Sequence, residues 1–255
     1  MLLAVDIGNT ETTIGIFEGE ELRATWRLTT AIGRTADEYA SLLISLLGNQ
    51  GLGTSDIKEV ALCSVVPPLT ATFEEMFGRY FSISPLVVAA GIKTGVRIRM
   101  DNPKEVGADR IVDAVAAHHL YGGPVIVVDL GTATTFDTIS QEGDYLGGAI
   151  APGLSTAAES LFRQTAVLPR VELVRPSHVI GTNTTDAMKS GIIFGYVALV
   201  EGMVARFQRE LGQKTKVVAT GGLAKLIARE TKVIDEVNPD LTLIGLRLIY
   251  QMNKA

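Results

Sequence analysis

Two short stretches carry the residue types that phosphate chemistry needs. Asp6-Ile7-Gly8-Asn9-Thr10-Glu11-Thr12-Thr13 closes one apolar run, and Asp129-Leu130-Gly131-Thr132-Ala133-Thr134-Thr135 closes another. In each, a carboxylate ends a strand-like segment and a glycine follows two residues later. Such a glycine lets the backbone approach an anion, and the freed N–H groups form a concave donor nest. Asn9, Thr10, Thr12 and Thr13 add neutral donors. Asp6 would repel phosphate directly, so its role is to hold hydrated Mg²⁺, which keeps several waters and bridges to phosphate oxygens. A single Asp-x-Gly reads as an ordinary turn. Two copies point to a nucleotide.

A third stretch, Val217-Val218-Ala219-Thr220-Gly221-Gly222, is a short apolar strand ending in paired glycines before a helical segment. Gly221 and Gly222 would let a flat ring or ribose lie close to the backbone, on the adenosine side of a nucleotide. The chain has no G-x-x-x-x-G-K-[ST] loop, and no G-x-G-x-x-G follows the first strand.

The elements that must position these turns repeat. After Asp6 come strand-like runs at 13–17 and 22–28, a helical pattern at 35–47 and a buried strand at 60–66. After Asp129 come strands at 135–139 and 145–150, a helix at 154–162 and a strand at 216–220. Thr35 with Glu38 three residues on predicts a capping box. The order is β-β-β-α-β-α twice, with extra helices at 107–121 and 184–211, and the two aspartates stand about half the chain apart. The pattern resembles the actin/Hsp70/sugar-kinase superfamily. That resemblance implies an α/β protein of two ribonuclease-H-like, actin-like ATPase lobes related by internal duplication, with ATP in the cleft between them. The expected domains are 1–122 and 123–255.

Composition narrows the partners. The 255 residues carry a net charge of −5, with 47% hydrophobic and 20% charged residues, so a substantial core is available. No Lys/Arg cluster tracks a phosphodiester backbone, which argues against nucleic acid or an anionic membrane. Cys63, the only cysteine, lies in the apolar run Val60–Val66 and reads as a buried thiol in a reducing cytoplasm. The start MLLAVD lacks a basic n-region, and no segment is expected to reach the length of a membrane span.

Further stretches narrow the resemblance. Pro103-Lys104-Glu105-Val106-Gly107-Ala108-Asp109-Arg110, Gly147-Gly148-Ala149-Ile150-Ala151-Pro152-Gly153 and Asn183-Thr184-Thr185-Asp186-Ala187-Met188, together with both aspartate turns, resemble the type III pantothenate kinases over essentially the whole chain. Gly-x-Asp-Arg is the discriminating element. The resemblance implies ATP-dependent phosphorylation of pantothenate to 4′-phosphopantothenate, the first step of coenzyme A biosynthesis, by a cytoplasmic homodimer. It implies that Asp6, Ile7, Gly8, Asn9, Thr10, Glu11, Thr12, Thr13 and Thr132 bind ATP with Mg²⁺. Gly107, Ala108, Asp109, Arg110 and Thr184 would hold pantothenate, with Thr184 reaching in from the partner subunit and Asp109 as the base. Asp129 would bind K⁺ or NH₄⁺. Met100 stands where the family commonly has Tyr as a wall of the pantothenate pocket.

The residues themselves agree with the acceptor role. Asp109 opens an apolar-periodic segment ending at Gly122-Gly123-Pro124, and a helix N-terminus favours the anion. Such a group can orient an attacking hydroxyl and accept its proton. Arg110 can pair with an anionic substrate or steady the transferring phosphoryl. Asp101 and Asp137 read as turn or strand-surface residues, Trp26 as packing, and His118 and His119 as partners of a helix C-terminus. Met188, Ile192, Ile193, Val197, Val200 and Val204 cover more than one face of the helix at 183–207 and predict a C2 subunit interface. Two other functions compete: a nucleotide-switched binding or regulatory protein, which needs no acceptor base, and another small-molecule kinase of the superfamily.

Overall fold

Continuous runs of apolar residues make LLAVDI and VIVVDL inner strands, buried on both faces up to their aspartates. The computed structural model describes residues 1–254. Strands β1 (Leu2–Ile7), β2 (Glu11–Glu18) and β3 (Glu21–Thr29) lead to helix α1 (Ala36–Gly48), strand β4 (Glu59–Ser64), helix α2 (Pro67–Phe81) and the two-residue β5 (Leu86–Val87). Helix α3 (Ala108–Tyr121) precedes the second series. That series is β6 (Val125–Leu130), β7 (Ala133–Ile139), β8 (Tyr145–Pro152), α4 (Leu154–Gln164), α5 (Thr184–Leu211), β9 (Lys216–Thr220), α6 (Ala224–Ala228), β10 (Glu236–Val237) and α7 (Leu241–Asn253).

The duplication is visible in the sheets. The first runs β3-β2-β1-β4-β5 and the second β8-β7-β6-β9-β10, the same order of equivalent strands. In both, the aspartate strand pairs antiparallel with the strand after it and parallel with the strand beyond the helix. The parallel step needs a crossover, which α1 supplies in one sheet, and α4 with α5 in the other.

The chain divides into two compact units. One comprises Met1–Gly95, Asn102–Ala116 and the chain from Thr242 onward; the other comprises Val96–Asp101 and Ala117–Leu241. These units are discontinuous, whereas the expected split at 122/123 was contiguous. The difference lies in three segments: residues 96–101, residues 117–122 and the segment with α7. In α7, Leu243 lies over Gly15 of β2, and a Cβ on Gly245 would stand 2.2 Å from the Val112 carbonyl oxygen of α3. Close packing of this kind ties the C-terminal helix to the N-terminal sheet, a long-range contact that no local pattern announces.

In the first unit α1 and α2 cover one sheet face, burying Leu3, Val5, Ile7, Tyr39, Leu43, Phe73 and Phe77. The predicted cap on α1 forms in full: the Glu38 N–H donates to Thr35 Oγ1, and Glu38 accepts from the Thr35 N–H at 2.8 Å. Such a cap stabilises a helix by about 1 kcal/mol. Trp26 packs half-buried against this core. In the second unit Ile192, Ile193, Val197, Val200 and Val204 of α5 pack with Ile126, Val128 and Phe136.

That packing changes two expectations. The apolar residues read as a subunit interface lie inside the second unit's own core, with Met188 beside them buried as well. The face of α5 left exposed carries instead Thr184, Ala187, Gly191, Gly195, Ala198 and Ala205. By length and composition α5 is also able to cross a membrane, contrary to the expectation that no segment would. Its buried face gives the physical reason: a helix that fills a core is apolar for the same cause.

Candidate active site

The two aspartate turns are built alike. The Gly8 N–H donates to the Glu11 carbonyl at 3.0 Å, and the Gly131 N–H to the Ala133 carbonyl at 3.0 Å. A Cβ on Gly8 would stand 2.9 Å from the Glu11 oxygen, so the tight turn requires glycine there. Thr30, from the end of β3, locks the first turn: its hydroxyl donates to the Gly8 carbonyl at 2.8 Å and its N–H to the Thr10 carbonyl at 2.9 Å. Thr12 is buried, with its hydroxyl 3.0 Å from that of Thr30, so it braces the turn from behind. Asn9, Thr10 and Glu11 are exposed, Asp6, Gly8 and Thr13 are half-buried, and Ile7 belongs to the core. Glu11 also pairs with Arg27 at 3.6 Å. Thr30 had no sequence signal, because only the β2–β3 register brings it back to Gly8.

The second turn is braced by α4. The Gly153 N–H donates to the Thr132 carbonyl at 3.0 Å and the Thr156 hydroxyl donates to the same oxygen at 2.7 Å. A Cβ on Gly153 would lie 2.3 Å from the Gly131 oxygen, so the Pro152-Gly153 step must be bare. Thr132 itself is exposed. Asp129 is half-buried in a cradle of glycines. A Cβ on Gly131 would lie 3.4 Å from Asp129 Oδ2, and one on Gly221 would lie 2.3 Å from Oδ1. Gly221 has φ +90° and is bare because Asp129 and the Leu130 backbone fill the space beside it. Gly222, next along, is exposed.

In the first unit, Asp109 sits in the first turn of α3, where its Oδ1 accepts the Arg110 N–H at 2.8 Å. The carboxylate folds back over Gly107, whose Cβ would be 2.5 Å from Oδ1. Gly107, Ala108, Asp109 and Arg110 are all half-buried. Asp6 lies opposite Cys63 across β1 and β4. Burial pushes the Cys63 thiol well up, and the carboxylates of Asp6, Asp109 and Asp113 add to the shift. Asp113, one helical turn beyond Asp109, is buried and accepts the Thr242 hydroxyl at 2.7 Å. Its i,i+4 spacing from Asp109 was the signal that could have found it.

The remaining expected residues lie in the second unit. Met100 is half-buried, and a Cβ on Gly147 would lie 3.1 Å from its sulfur. Thr184 is exposed at the start of α5, after the N-cap Asn183, whose Oδ1 accepts the Asp186 N–H at 2.9 Å. His118 and His119 are in the last turn of α3, with His118 Nε2 3.1 Å from the Gln141 oxygen. Asp101 is exposed, as a turn residue should be. Asp137 is not at a surface: it is 1% exposed and accepts the hydroxyls of Tyr145 at 2.5 Å and Thr135 at 3.0 Å. Two hydroxyl donors offset the desolvation that would otherwise keep a carboxylate out of a sheet interior.

The first turn fits the ion that its sequence implies. Asp6 offers one carboxylate beside an anion-accepting turn, which suits Mg²⁺ completed by water and phosphate. Gly131 and Gly221 keep side chains off the Asp129 carboxylate. Among the described residues no group of three or more His, Cys, Asp or Glu side chains forms a metal cage.

This fold, with one Asp-x-Gly turn in each of two equivalent sheets, is that of the actin-like ATPases. The Acidaminococcus fermentans (R)-2-hydroxyglutaryl-CoA dehydratase component A superimposes with a TM-score of 0.56 at 13% identity, covering 98% of this chain and 96% of that one. The inorganic polyphosphate/ATP-glucomannokinase of Arthrobacter sp. strain KM does so with a TM-score of 0.53 at 12% identity, covering 99% of each. The family model of type III pantothenate kinases matches residues 2–206. A type III pantothenate kinase of Dehalococcoides mccartyi is 61% identical over 254 residues, covering 100% of this chain and 98% of its own. The chain belongs to the type III pantothenate kinase family, and it is a kinase.

Proposed function

We propose that this chain transfers the γ-phosphoryl group of ATP to the primary hydroxyl of pantothenate, giving ADP and 4′-phosphopantothenate in coenzyme A biosynthesis. The observation that carries this reading is the start of α3. There Asp109 stands at a helix N-terminus over a bare Gly107, beside Arg110, in the same unit as the Asp6 turn. A nucleotide switch needs the turns but has no use for an acceptor base.

In this reading Asp6 to Thr13 and Thr132 hold the ATP phosphates through the backbone donors of both turns. Mg²⁺, held at Asp6 through water, supplies charge neutralisation when bound. Asp129 takes K⁺ or NH₄⁺, and Gly221 and Gly222 flank the adenosine. Gly107, Ala108 and Arg110 orient pantothenate, Arg110 pairing with its carboxylate. Asp109 aligns the hydroxyl and accepts its proton as the oxygen–phosphorus bond forms and ADP leaves. Met100 walls the acceptor pocket.

The assembly is a C2 homodimer formed through the exposed small-residue face of α5, with Thr184 entering the partner's pocket, in a cytoplasmic setting. Glycine and alanine on that face let a second helix approach closely. The deciding assay is ADP release on mixing with ATP, Mg²⁺ and K⁺, with and without pantothenate. Glucose and acetate serve as competing acceptors. Release that depends on pantothenate supports the reading. Release with another acceptor, or turnover indifferent to any acceptor, overturns it.

A further inference from the structure

The second unit buries one carboxylate that the phosphate turns do not use. Asp137, on β7, accepts the Tyr145 hydroxyl at Oδ1 and the Thr135 hydroxyl at Oδ2. Tyr145 opens β8 and is itself fully buried. Its backbone grips the segment that carries Met100: the Tyr145 N–H donates to the Arg97 carbonyl at 2.8 Å, and the Arg99 N–H donates to the Tyr145 carbonyl at 2.8 Å. Ile98 is bridged to Tyr145 between those two bonds. The Arg99 side chain adds an ion pair to Asp144 at 2.7 Å. One residue on, Met100 rests over Gly147, which has φ +116°. The β7–β8 register shifts between Thr138 and Ile139, at the rung where Tyr145 pairs. At that irregular rung the bond from its hydroxyl to Asp137 gives Tyr145 an anchor beyond strand pairing.

We propose that Asp137 is a positioning residue for the acceptor pocket: through Tyr145 it fixes the segment Arg97–Met100 and so sets the wall that Met100 presents to pantothenate. This rests on the reading of Met100 given above. Asp137 touches no substrate. It acts by holding a strand end in one place, and the proposal assigns the same effect to Tyr145.

The test is Tyr145→Phe in the full-length chain, with Asp137→Ala and Asp137→Asn as companions. Removing a buried hydrogen bond of this kind should raise KM and Kd for pantothenate about 5–30-fold, with KM for ATP little changed. Asp137→Ala should reproduce that shift, and Asp137→Asn, which keeps one acceptor oxygen, should restore part of it. A role in stability alone would lower Tm and move both KM values together, and that result overturns the proposal. So does a pantothenate KM within about twofold of wild type in Tyr145→Phe. Wild type assayed alongside separates the two readings. If it fails to release ADP with pantothenate, the kinase reading fails and the positioning role falls with it. If wild type is active and the variants are unshifted, only the positioning role fails.

Discussion

Asp129 and Gly221 are in direct apposition: the aspartate's Oδ1 occupies the space 2.3 Å from where a Gly221 Cβ would be. The carboxylate at the end of β6 and the glycine at the end of β9 thus form one feature, although some ninety residues separate them in the chain. At φ +90° Gly221 also holds a conformation that other residues rarely adopt. Gly221→Ala must therefore move Asp129 or the Leu130 backbone. We expect it to lose about 1–3 kcal/mol of stability in a denaturant melt and to weaken ATP binding measured by calorimetry. Full stability and full ATP affinity would mean that the cradle yields without consequence.

Asp109→Asn keeps size and hydrogen bonding but removes the proton acceptor. Loss of a general base slows turnover by about 10²–10⁴-fold, so kcat should fall by that much while ATP binding survives. Turnover within about threefold of wild type would remove Asp109 from the base role.

The cation is tested at Asp129. Activity should need K⁺ or NH₄⁺, and Asp129→Asn should lose most of it whichever ion is supplied. Equal rates for wild type in Na⁺-only and K⁺ buffers would count against a monovalent site.

The subunit contact is tested on α5. Wild type should show twice the chain mass by light scattering at micromolar concentration. A Cβ on Gly195 meets nothing within 4 Å in the chain itself. Gly195→Leu should therefore leave the fold intact by circular dichroism while driving the protein toward monomer and lowering activity. A fully active monomeric wild type would contradict the dimer.

Cys63 should be chemically silent. It is buried, and burial together with Asp6, Asp109 and Asp113 keeps its thiol protonated well past the usual range. An aromatic disulfide reagent at neutral pH should leave it untouched until denaturant is added. The raised folded-state value also sets a sign for stability. Below the unfolded thiol's value of about 8.5 the group contributes in full, and above it stability declines, because only the unfolded chain can ionise. Rapid labelling of the native protein at neutral pH would show that the thiol is not shielded.

Sequence alone determined the repeated architecture and the residue types of both turns. Local chemistry specifies these features: branched apolar runs make strands, Asp-x-Gly ends them, and Thr35 with Glu38 starts a helix wherever the rest of the chain goes. Gly107 to Arg110 at a helix start was legible for the same reason. Tertiary structure decided what depends on contacts across the chain. Only strand register brings Thr30 onto Gly8, and only the β6–β9 pairing sets Gly221 against Asp129. Helix α7 returns to the first sheet because Gly15 and Gly245 leave room for it. The apolar residues of α5 look alike whether they face a core or a partner, and packing assigned them to the core. Asp137 reads as a strand-surface residue until β8 folds back and brings the Tyr145 hydroxyl to it, beside Thr135 of its own strand. Periodicity records which residues avoid water, but not which neighbours take water's place.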